Sequence, residues 1–311
     1  MIRVSQRVFY KAFGLNIVSD IIFPELDIVK GKLDNVDVTL QIKDLSKEWD
    51  ELLFDNETFR VKEDLVLFKI LETAIFCIKN GNEILVSPMN GADLDKIRLY
   101  ILGTCMGALL IQKKIIPLHG SAIEIEGKAY AIIGESGAGK STLASAFINK
   151  GYKLLSDDVI AVTLSKNHVP IVTPSYPQQK LWKESLNEFG MDSSQFRPII
   201  ERETKFAIPV LENFNSEPVP LAGIIELIKS ENDELNYRRI NGMERLQTLF
   251  AHTYRNFLIE LLDLMEWHFT SSAKIIDQID FFQLQRPIST FTANHLVSLI
   301  LESITKENVE C

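Results

Sequence analysis

The stretch Gly134-Glu135-Ser136-Gly137-Ala138-Gly139-Lys140-Ser141 decides how the rest of this chain is interpreted. It fits the pattern G-x-x-x-x-G-K-[ST], in which glycines let successive backbone N–H groups turn towards a phosphate. The lysine reaches the β- and γ-phosphates, the next hydroxyl holds Mg²⁺, and the helix N-terminus adds partial positive charge. The pattern predicts a nucleoside triphosphate site.

The flanks of this stretch have the form that a phosphate-binding loop requires. Residues 128–133 form a short apolar run typical of a buried strand, and residues 140–150 have the pattern of a helix. We therefore expect the loop and the following Thr142 to contact ATP, with Lys140 also acting in catalysis. The alternative is a glycine-rich turn that matches the pattern by chance.

The bulk composition is that of a globular protein that does not bind nucleic acid. The 311 residues are 46% hydrophobic and carry a net charge of −9, with no cluster of Lys and Arg to attract phosphate backbones. Three scattered cysteines lack the spacing of a metal site. The first six residues lack the apolar core of a signal peptide, and the apolar stretch 99–111 is too short to span a membrane. We expect a cytoplasmic protein that has no membrane partner.

Two domains are expected from the length of the chain and from the change in its pattern. Residues 1–92 alternate between apolar and polar positions and include the hairpin signal Asn80-Gly81, which predicts a β-rich domain. Residues 93–311 contain the phosphate-binding loop and end in helical segments. Within this second domain we expect an extended loop at 169–177, a short helix at 180–189, irregular chain at 192–220 and one long helix at 243–267.

An acidic pair follows the loop at a short distance. Leu154-Leu155-Ser156-Asp157-Asp158 has the form of an apolar strand that ends in carboxylates, and only 15 residues separate Ser141 from Asp157. Neighbouring residues on an extended backbone point to opposite sides, so one carboxylate could hold Mg²⁺ while the other faces an acceptor hydroxyl. The second carboxylate would then take the proton as the hydroxyl attacks the γ-phosphorus. A solvated turn between two strands is the alternative.

His119 precedes the loop at the head of a strand, Pro117 to Ile125, which is expected to form a hairpin with the loop strand. That position could bring its imidazole beside the acidic pair, where a hydrogen bond would orient a carboxylate. A purely structural histidine is an equal alternative. Further along, Arg202 and Lys205 could approach the γ-phosphate from a mobile loop, or they could simply be solvated.

Together, residues 118–121, 134–141 and 155–158 resemble the catalytic domain of HPr kinase/phosphorylase, a bacterial serine kinase related in its nucleotide site to phosphoenolpyruvate carboxykinase. The resemblance implies an α/β fold: a P-loop kinase domain of that type, with a β-rich N-terminal domain and C-terminal helices. It also implies that His119 pairs with the acidic pair, that Asp157 is the general base and that Asp158 and Ser141 hold Mg²⁺.

Weaker motifs across the chain look closer to the HPr-kinase-like proteins encoded with ribosomally made peptides. These motifs are 10–15, 23–26, 174–177 and 181–182. Lasso-peptide kinases belong to that group. The resemblance implies that such kinases phosphorylate a serine near the C-terminus of the precursor peptide. A glycine-rich signature of true HPr kinases has no counterpart after the acidic pair.

We therefore expect an ATP- and Mg²⁺-dependent serine kinase that acts on a peptide or small protein, such as a lasso-type precursor, and that could form a homo-oligomer. One competing hypothesis is a regulatory nucleotide-binding module that hydrolyses slowly or not at all. A second is a true HPr serine kinase/phosphorylase, and a third is an enzyme that transfers a nucleotidyl or polyphosphoryl group. A guanine-nucleotide switch is disfavoured because the chain lacks an NKxD-type motif.

Overall fold

The computed structural model describes residues 7–31, 35–51, 58–200, 202–232 and 234–310, with the side chains of 202, 203 and 306–310 excluded. The N-terminal stretch 1–6 and the side chain of Arg202, both considered above, lie outside this description.

Residues 8–88 form a seven-stranded sheet with one short helix. The elements are β1 (Val8–Ala12), β2 (Leu15–Ser19), β3 (Val38–Ile42), α1 (Ser46–Glu51), β4 (Phe59–Lys62), β5 (Leu65–Ile70), β6 (Ala74–Lys79) and β7 (Glu83–Pro88). The strand order is β1-β2-β3-β7-β6-β5-β4. Asn80 and Gly81, which both have positive φ, connect β6 to β7, as the hairpin signal predicts. The expectation of a β-rich N-terminal part agrees with this sheet.

The next segment carries the loop and the acidic pair. Its elements are α2 (Leu94–Tyr100), a π-helical turn (Ile101–Cys105), α3 (Met106–Gln112), β8 (Ile116–Ile125), β9 (Lys128–Ile133), α4 (Lys140–Asn149) and β10 (Lys153–Leu164). β8 pairs with β9 and with β10, both antiparallel. A side chain at Gly120 would place its Cβ 2.2 Å from the carbonyl oxygen of Ile132, so only glycine allows β8 to approach β9 this closely.

The expectations for residues 169–220 are only partly correct, because this segment contains several strands as well as a short helix. Its elements are β11 (Pro170–Thr173), β12 (Gln178–Trp182), α5 (Lys183–Glu188), β13 (Arg197–Ile199), β14 (Arg202–Pro209) and β15 (Val219–Ser230). The expected helix 180–189 is helical over residues 183–188, whereas its first three residues belong to β12. The expected loop 169–177 contains β11, and the segment expected to be irregular contains β13 and β14. Strands β12, β14 and β13 form a separate small sheet, whose pairing no local pattern reveals.

The C-terminal part is mostly helical. Its elements are β16 (Asn236–Arg239), α6 (Met243–Ala251), α7 (Phe257–Leu261), α8 (Met265–Ile276), β17 (Asp280–Pro287) and α9 (Ala293–Glu310). The expected single helix 243–267 is divided into three. Arg255 and Asp263, at φ 57° and 56°, interrupt it, and Thr253 forms a β-bridge with Leu118.

The second large sheet places the phosphate-binding loop at one edge. Its order is β11-β10-β8-β9-β15-β17-β16, and β9, β15 and β17 run parallel to one another. The loop leaves the carboxyl end of β9, where open α/β sheets bind ligands. The expected α/β class, with a P-loop between strand and helix and with C-terminal helices, is confirmed.

The hydrophobic core is continuous between the two large sheets. One cluster joins buried residues of the first sheet and the α2–α3 segment to Val159 and Ala161 of β10 and to Leu258 and Ile259 of α7. The division into domains at residue 92 stays a prediction. Within the described part of the chain, no helix combines the length and the apolar character needed to cross a membrane.

Candidate active site

The phosphate-binding loop is held in a conformation that needs its glycines. Gly134 and Gly139 have φ of 145° and 105°, and a Cβ on Gly134 would lie 2.4 Å from the carbonyl oxygen of Leu227 in β15. Helix α4 begins directly after the loop, at Lys140. The helix N-terminus and the turned backbone thus meet where the sequence predicts phosphate binding.

The Lys140 ammonium is folded back onto its own loop. Its Nζ donates hydrogen bonds to the carbonyl oxygens of Gly134 at 2.7 Å and Glu135 at 2.9 Å. Burial lowers the pKa of Lys140 to about 8, against the opposing influence of the two nearby aspartates. Both of its partners are uncharged oxygens, which a phosphate could replace as a stronger acceptor.

Asp157 is the carboxylate that faces the phosphate-binding loop. Its Oδ1 accepts hydrogen bonds from Ser141 Oγ at 2.9 Å and from Ser121 Oγ at 2.6 Å, and its Oδ2 accepts one from the backbone N–H of Lys180 at 2.8 Å. The residue is only 3% exposed. The serine expected to hold Mg²⁺ therefore lies beside Asp157.

Asp158 has a different set of partners. Its Oδ2 accepts a hydrogen bond from Lys180 Nζ at 2.6 Å, and its Oδ1 lies 3.6 Å from His119 Nδ1. Its φ of 80° lies in the left-handed region, in which residues other than glycine are uncommon. Such backbone strain costs about 1–3 kcal/mol and is concentrated at functional sites.

The charges around Asp158 control its protonation. Burial acts to raise its pKa, but Lys180 and His119 outweigh this effect and hold the pKa of the carboxyl well below its usual range. For the His119 imidazole, burial is the larger influence and lowers its pKa, while the charge of Asp158 acts in the other direction. At neutral pH the site thus presents an ionised Asp158 beside a neutral imidazole.

His119 is fixed by three surrounding groups. Its Nδ1 lies 3.0 Å from the backbone carbonyl oxygen of Asp158, and because a carbonyl can only accept, we assign the ring proton to Nδ1. Its backbone N–H donates to the carbonyl oxygen of His252 at 2.8 Å. The ring of Tyr254 lies 5.6 Å from the imidazole, measured between centroids. The predicted closeness of His119 to the acidic pair agrees with this geometry.

The other residues predicted to contact ATP differ in their exposure and in their contacts. Glu135, Ser136 and Gly137 are exposed at the tip of the loop, and Ala138 is buried beneath it. The Thr142 hydroxyl lies 2.8 Å from Ser185 Oγ, a contact within the protein.

The two basic residues suggested for the γ-phosphate lie on strand β14. The Lys205 ammonium lies 5.4 Å from the centre of the Trp182 ring. The expectation of a mobile loop at this position is wrong, because β14 is paired on both sides.

Sequence reasoning missed two residues that touch the acidic pair, Ser121 and Lys180. Ser121 follows the His-Gly pair, and the register of β8 against β10 places it directly opposite Asp157. Lys180 lies 22 residues beyond Asp158 in a polar run, and no motif singles it out.

The donors around Ser141 fit a magnesium ion. Mg²⁺ is usually bound through one or two carboxylates together with substrate phosphates, rather than by a cage of protein ligands alone. Ser141 Oγ and the Asp157 carboxylate supply oxygens of this kind beside the loop. Among the described residues, no group of three or more His, Cys, Asp or Glu could hold a metal by itself.

The site combines a strand–loop–helix cradle, a serine–carboxylate pair and a second carboxylate beside a histidine. The cradle has the sequence and the backbone form of a P-loop. Residues 112–181 match the model of the HPr Serine kinase C-terminal domain. This match spans β8 to β12 and therefore includes the site.

Among curated relatives, the HPr kinase/phosphorylase of Mycoplasmopsis pulmonis is 36% identical over 70 residues, which are 22% of this chain and 23% of the relative. That of Lactobacillus gasseri is 31% identical over 100 residues, 29% and 31% of the two chains. That of Bordetella pertussis is 33% identical over 106 residues, 33% and 30% of the two. The chain thus spans less than a third of the length of each.

Among solved structures, the Hpr(Ser) kinase/phosphatase from Coxiella burnetii matches 63% of this chain and 99% of its own, with 18% identity and a TM-score of 0.34. The expected resemblance to the HPr kinase/phosphorylase family is confirmed for the segment that carries the site. The narrower resemblance to lasso-peptide kinases stays a prediction.

Proposed function

We propose that this protein is an ATP- and Mg²⁺-dependent kinase that phosphorylates a serine of a peptide or small protein. The observation that carries the proposal is that the two aspartates have different partners. Asp157 contacts Ser141 on the phosphate-binding loop, and Asp158 lies beside His119. We infer that Asp157 serves the phosphate donor and Asp158 the acceptor, because the leaving and attacking oxygens lie roughly in line across the phosphorus.

The nucleotide side of the site is formed by residues 134–142. Backbone N–H groups of the loop and the ammonium of Lys140 would hold the β- and γ-phosphates. Ser141 and Asp157 would hold Mg²⁺, which neutralises charge on the transferring group when bound. This geometry favours Asp157 over Asp158 as the metal ligand, the reverse of what the resemblance implies.

The acceptor side is formed by Asp158 and His119. We assign Asp158 as the group that orients the acceptor hydroxyl and takes its proton, and His119 as the residue that positions Asp158. Phosphoryl transfer passes through a loose transition state. A weak base, such as an ionised carboxylate with a low pKa, is therefore sufficient to take the proton. The proton transfers late, when the hydroxyl oxygen has begun to bond to phosphorus.

A cleft lined by Lys180, the partner of Asp158, is the candidate binding place for a peptide. Leu99 and Leu102 of the helical segment and Ile199 of β13 also line it, together with charged residues such as Arg197. This mixed surface would suit a peptide with both apolar and charged side chains. A lasso-type precursor with a serine near its C-terminus, and HPr itself, are the two acceptors to compare.

The test is transfer from γ-labelled ATP to each of these two acceptors and to versions in which the acceptor serine is alanine. We expect a mass increase of one phosphate on one acceptor, lost in the alanine version and in EDTA. A larger added mass would show transfer of a nucleotidyl or polyphosphoryl group. Binding of ATP without transfer to either acceptor would contradict the kinase proposal and favour a regulatory module.

Three broader expectations stay proposals together with this function. They are the division into a β-rich domain 1–92 and a kinase domain 93–311, a cytoplasmic location, and assembly into a homo-oligomer. Limited proteolysis tests the first, and sedimentation of the purified full chain tests the last.

A further inference from the structure

Lys180 contacts both aspartates of the site at the same time. Its ammonium donates to Asp158 Oδ2 at 2.6 Å, and its backbone N–H donates to Asp157 Oδ2 at 2.8 Å. One residue therefore helps to set the direction of both carboxylates. Neither the loop motif nor the acidic pair assigns it a role.

The surroundings of Lys180 make this arrangement unusual. It lies in the middle of β12, between the buried Gln179 and Leu181, and its side chain is only 10% exposed. A buried ion pair adds little net stability, because desolvation offsets the attraction between the charges. Burial acts to lower the pKa of Lys180, but the carboxylate of Asp158 outweighs it and raises that pKa.

Lys140 has different partners from Lys180. The ammonium of Lys140 donates to carbonyl oxygens of the phosphate-binding loop. Lys180 instead donates to Asp158 and also lines a cleft. The two ammonium groups thus have different hydrogen-bond partners, although the charges of both aspartates act on each of them.

We propose that Lys180 is a positioning residue for phosphoryl transfer, whose ammonium fixes Asp158 towards the acceptor and whose backbone N–H fixes Asp157 towards Ser141. This inference rests on the proposed function. In the reaction, the acceptor oxygen bonds to the γ-phosphorus, the bond from that phosphorus to ADP breaks, and the hydroxyl proton goes to Asp158. Lys180 forms no covalent bond and donates no proton.

The experiment is a double-mutant cycle with Lys180→Met and Asp158→Asn in the full chain, measured as steady-state transfer to the acceptor peptide. We expect Lys180→Met alone to lower kcat about 10- to 100-fold, the range for residues that orient catalytic ligands, with KM for ATP within about 2-fold of wild type. In the Asp158→Asn background, Lys180→Met should lower kcat by less than about 3-fold, because the carboxylate that Lys180 orients is already absent. Equal losses in the two backgrounds would overturn the proposal.

Two further variants separate orientation from folding. Lys180→Arg keeps the positive charge and should recover part of the loss, and a kcat no higher than that of Lys180→Met would count against the proposal. Arg245→Met is the control, since Arg245 Nη1 donates to the carbonyl oxygen of Ile276 at 2.8 Å and neither residue lines the cleft. It should lower the melting temperature while kcat of the folded protein stays at the wild-type value.

A crystal structure of Lys180→Met tests the inference even if the kinase proposal fails. We expect the Asp158 carboxylate to leave its place 3.6 Å from His119 Nδ1. If both carboxylates keep their wild-type positions, Lys180 does not orient them. Absence of transfer by the wild-type protein would instead contradict the proposed function alone.

Discussion

His119 reaches Asp158 twice, through the backbone carbonyl oxygen at 3.0 Å and through the carboxylate Oδ1 at 3.6 Å, both from the same ring nitrogen. The first contact holds the peptide group of a residue whose φ is 80°. The second contact is to the carboxylate, the group that would face an acceptor hydroxyl. One imidazole therefore supports both the strained backbone and the functional group of Asp158.

Replacing Asp158 by Asn should abolish most phosphoryl transfer and leave nucleotide binding largely intact. Asparagine tolerates positive φ, so the backbone conformation is retained while the proton acceptor is lost. We expect kcat to fall about 10²- to 10⁴-fold, the usual contribution of a general base. Transfer assays and calorimetric titration with Mg·ATP measure the two effects. A wild-type rate would exclude Asp158 as the base.

Replacing Asp157 by Asn should instead weaken the binding of Mg·ATP. The amide lacks the negative charge that Mg²⁺ prefers, although it can still accept the hydrogen bonds from Ser141 and Ser121. We expect the affinity for Mg·ATP to fall at least about 10-fold, with little change for ATP in EDTA. The family resemblance implies instead that Asp157 is the base and Asp158 the metal ligand. In that case Asp158→Asn, rather than Asp157→Asn, would weaken the binding of Mg·ATP. Titrations of both variants therefore decide between the two assignments.

Adding a methyl group at Gly107 should destabilise the protein. Its Cβ would lie 2.5 Å from Cδ1 of Tyr254, the ring that packs beside His119. Overpacking of this kind costs about 1–3 kcal/mol, which urea unfolding of Gly107→Ala measures. The double variant Gly107→Ala/Tyr254→Ala serves as the control, because removal of the ring removes the clash. If Gly107→Ala costs as much in that background, contact with Tyr254 is not the cause.

Acid should destabilise the protein through His268. This residue is 3% exposed, and burial lowers its pKa to about 4, whereas the unfolded chain has an ordinary value near 6.5. The unfolded state therefore binds a proton first, and the stability present above about pH 6.5 is lost as pH falls towards 4. The difference in pKa corresponds to about 3 kcal/mol.

Urea unfolding of the wild type and of His268→Gln at pH 7 and pH 4.5 measures this loss. The variant lacks the titrating ring but can still form hydrogen bonds with Thr253, whose hydroxyl lies 2.9 Å from His268 Nε2 in the wild type. We expect a smaller decrease in its unfolding free energy between the two pH values. Parallel decreases in both proteins would rule out His268 as the source.

Local patterns were sufficient for the phosphate-binding loop and its flanks. The glycines, the apolar run 128–133 and the helical segment 140–150 are close in sequence, and the structure joins them in the same order as β9, loop and α4. The acidic pair likewise follows from a local pattern, an apolar strand that ends in carboxylates, but the φ of 80° at Asp158 does not. Which aspartate contacts Ser141 depends on the register of β10 against β8. The distance in sequence between the loop and the acidic pair does not determine that register.

Tertiary pairing explains the parts that sequence reasoning missed. The polar run Gln178-Gln179-Lys180 has no apolar alternation, yet it forms buried strand β12. Its polar groups are satisfied by distant partners: Gln179 accepts a hydrogen bond from Ser145 Oγ of α4, and Lys180 contacts the aspartates. Strand propensity depends on such surroundings more than on the residues themselves. The interruption of the helix 243–267 likewise arises from pairing with the start of β8.

The shared core between the first sheet and β10 makes the candidate site sensitive to substitutions far from it. Val159 and Ala161, which closely follow Asp158, pack in the same hydrophobic cluster as Phe68 and Phe76 of the first sheet. Removal of residues 1–92 would expose this side of β10 to water at the point where its backbone is strained. We therefore expect heat to unfold the first sheet and the candidate site in one calorimetric transition, because the two share one hydrophobic core.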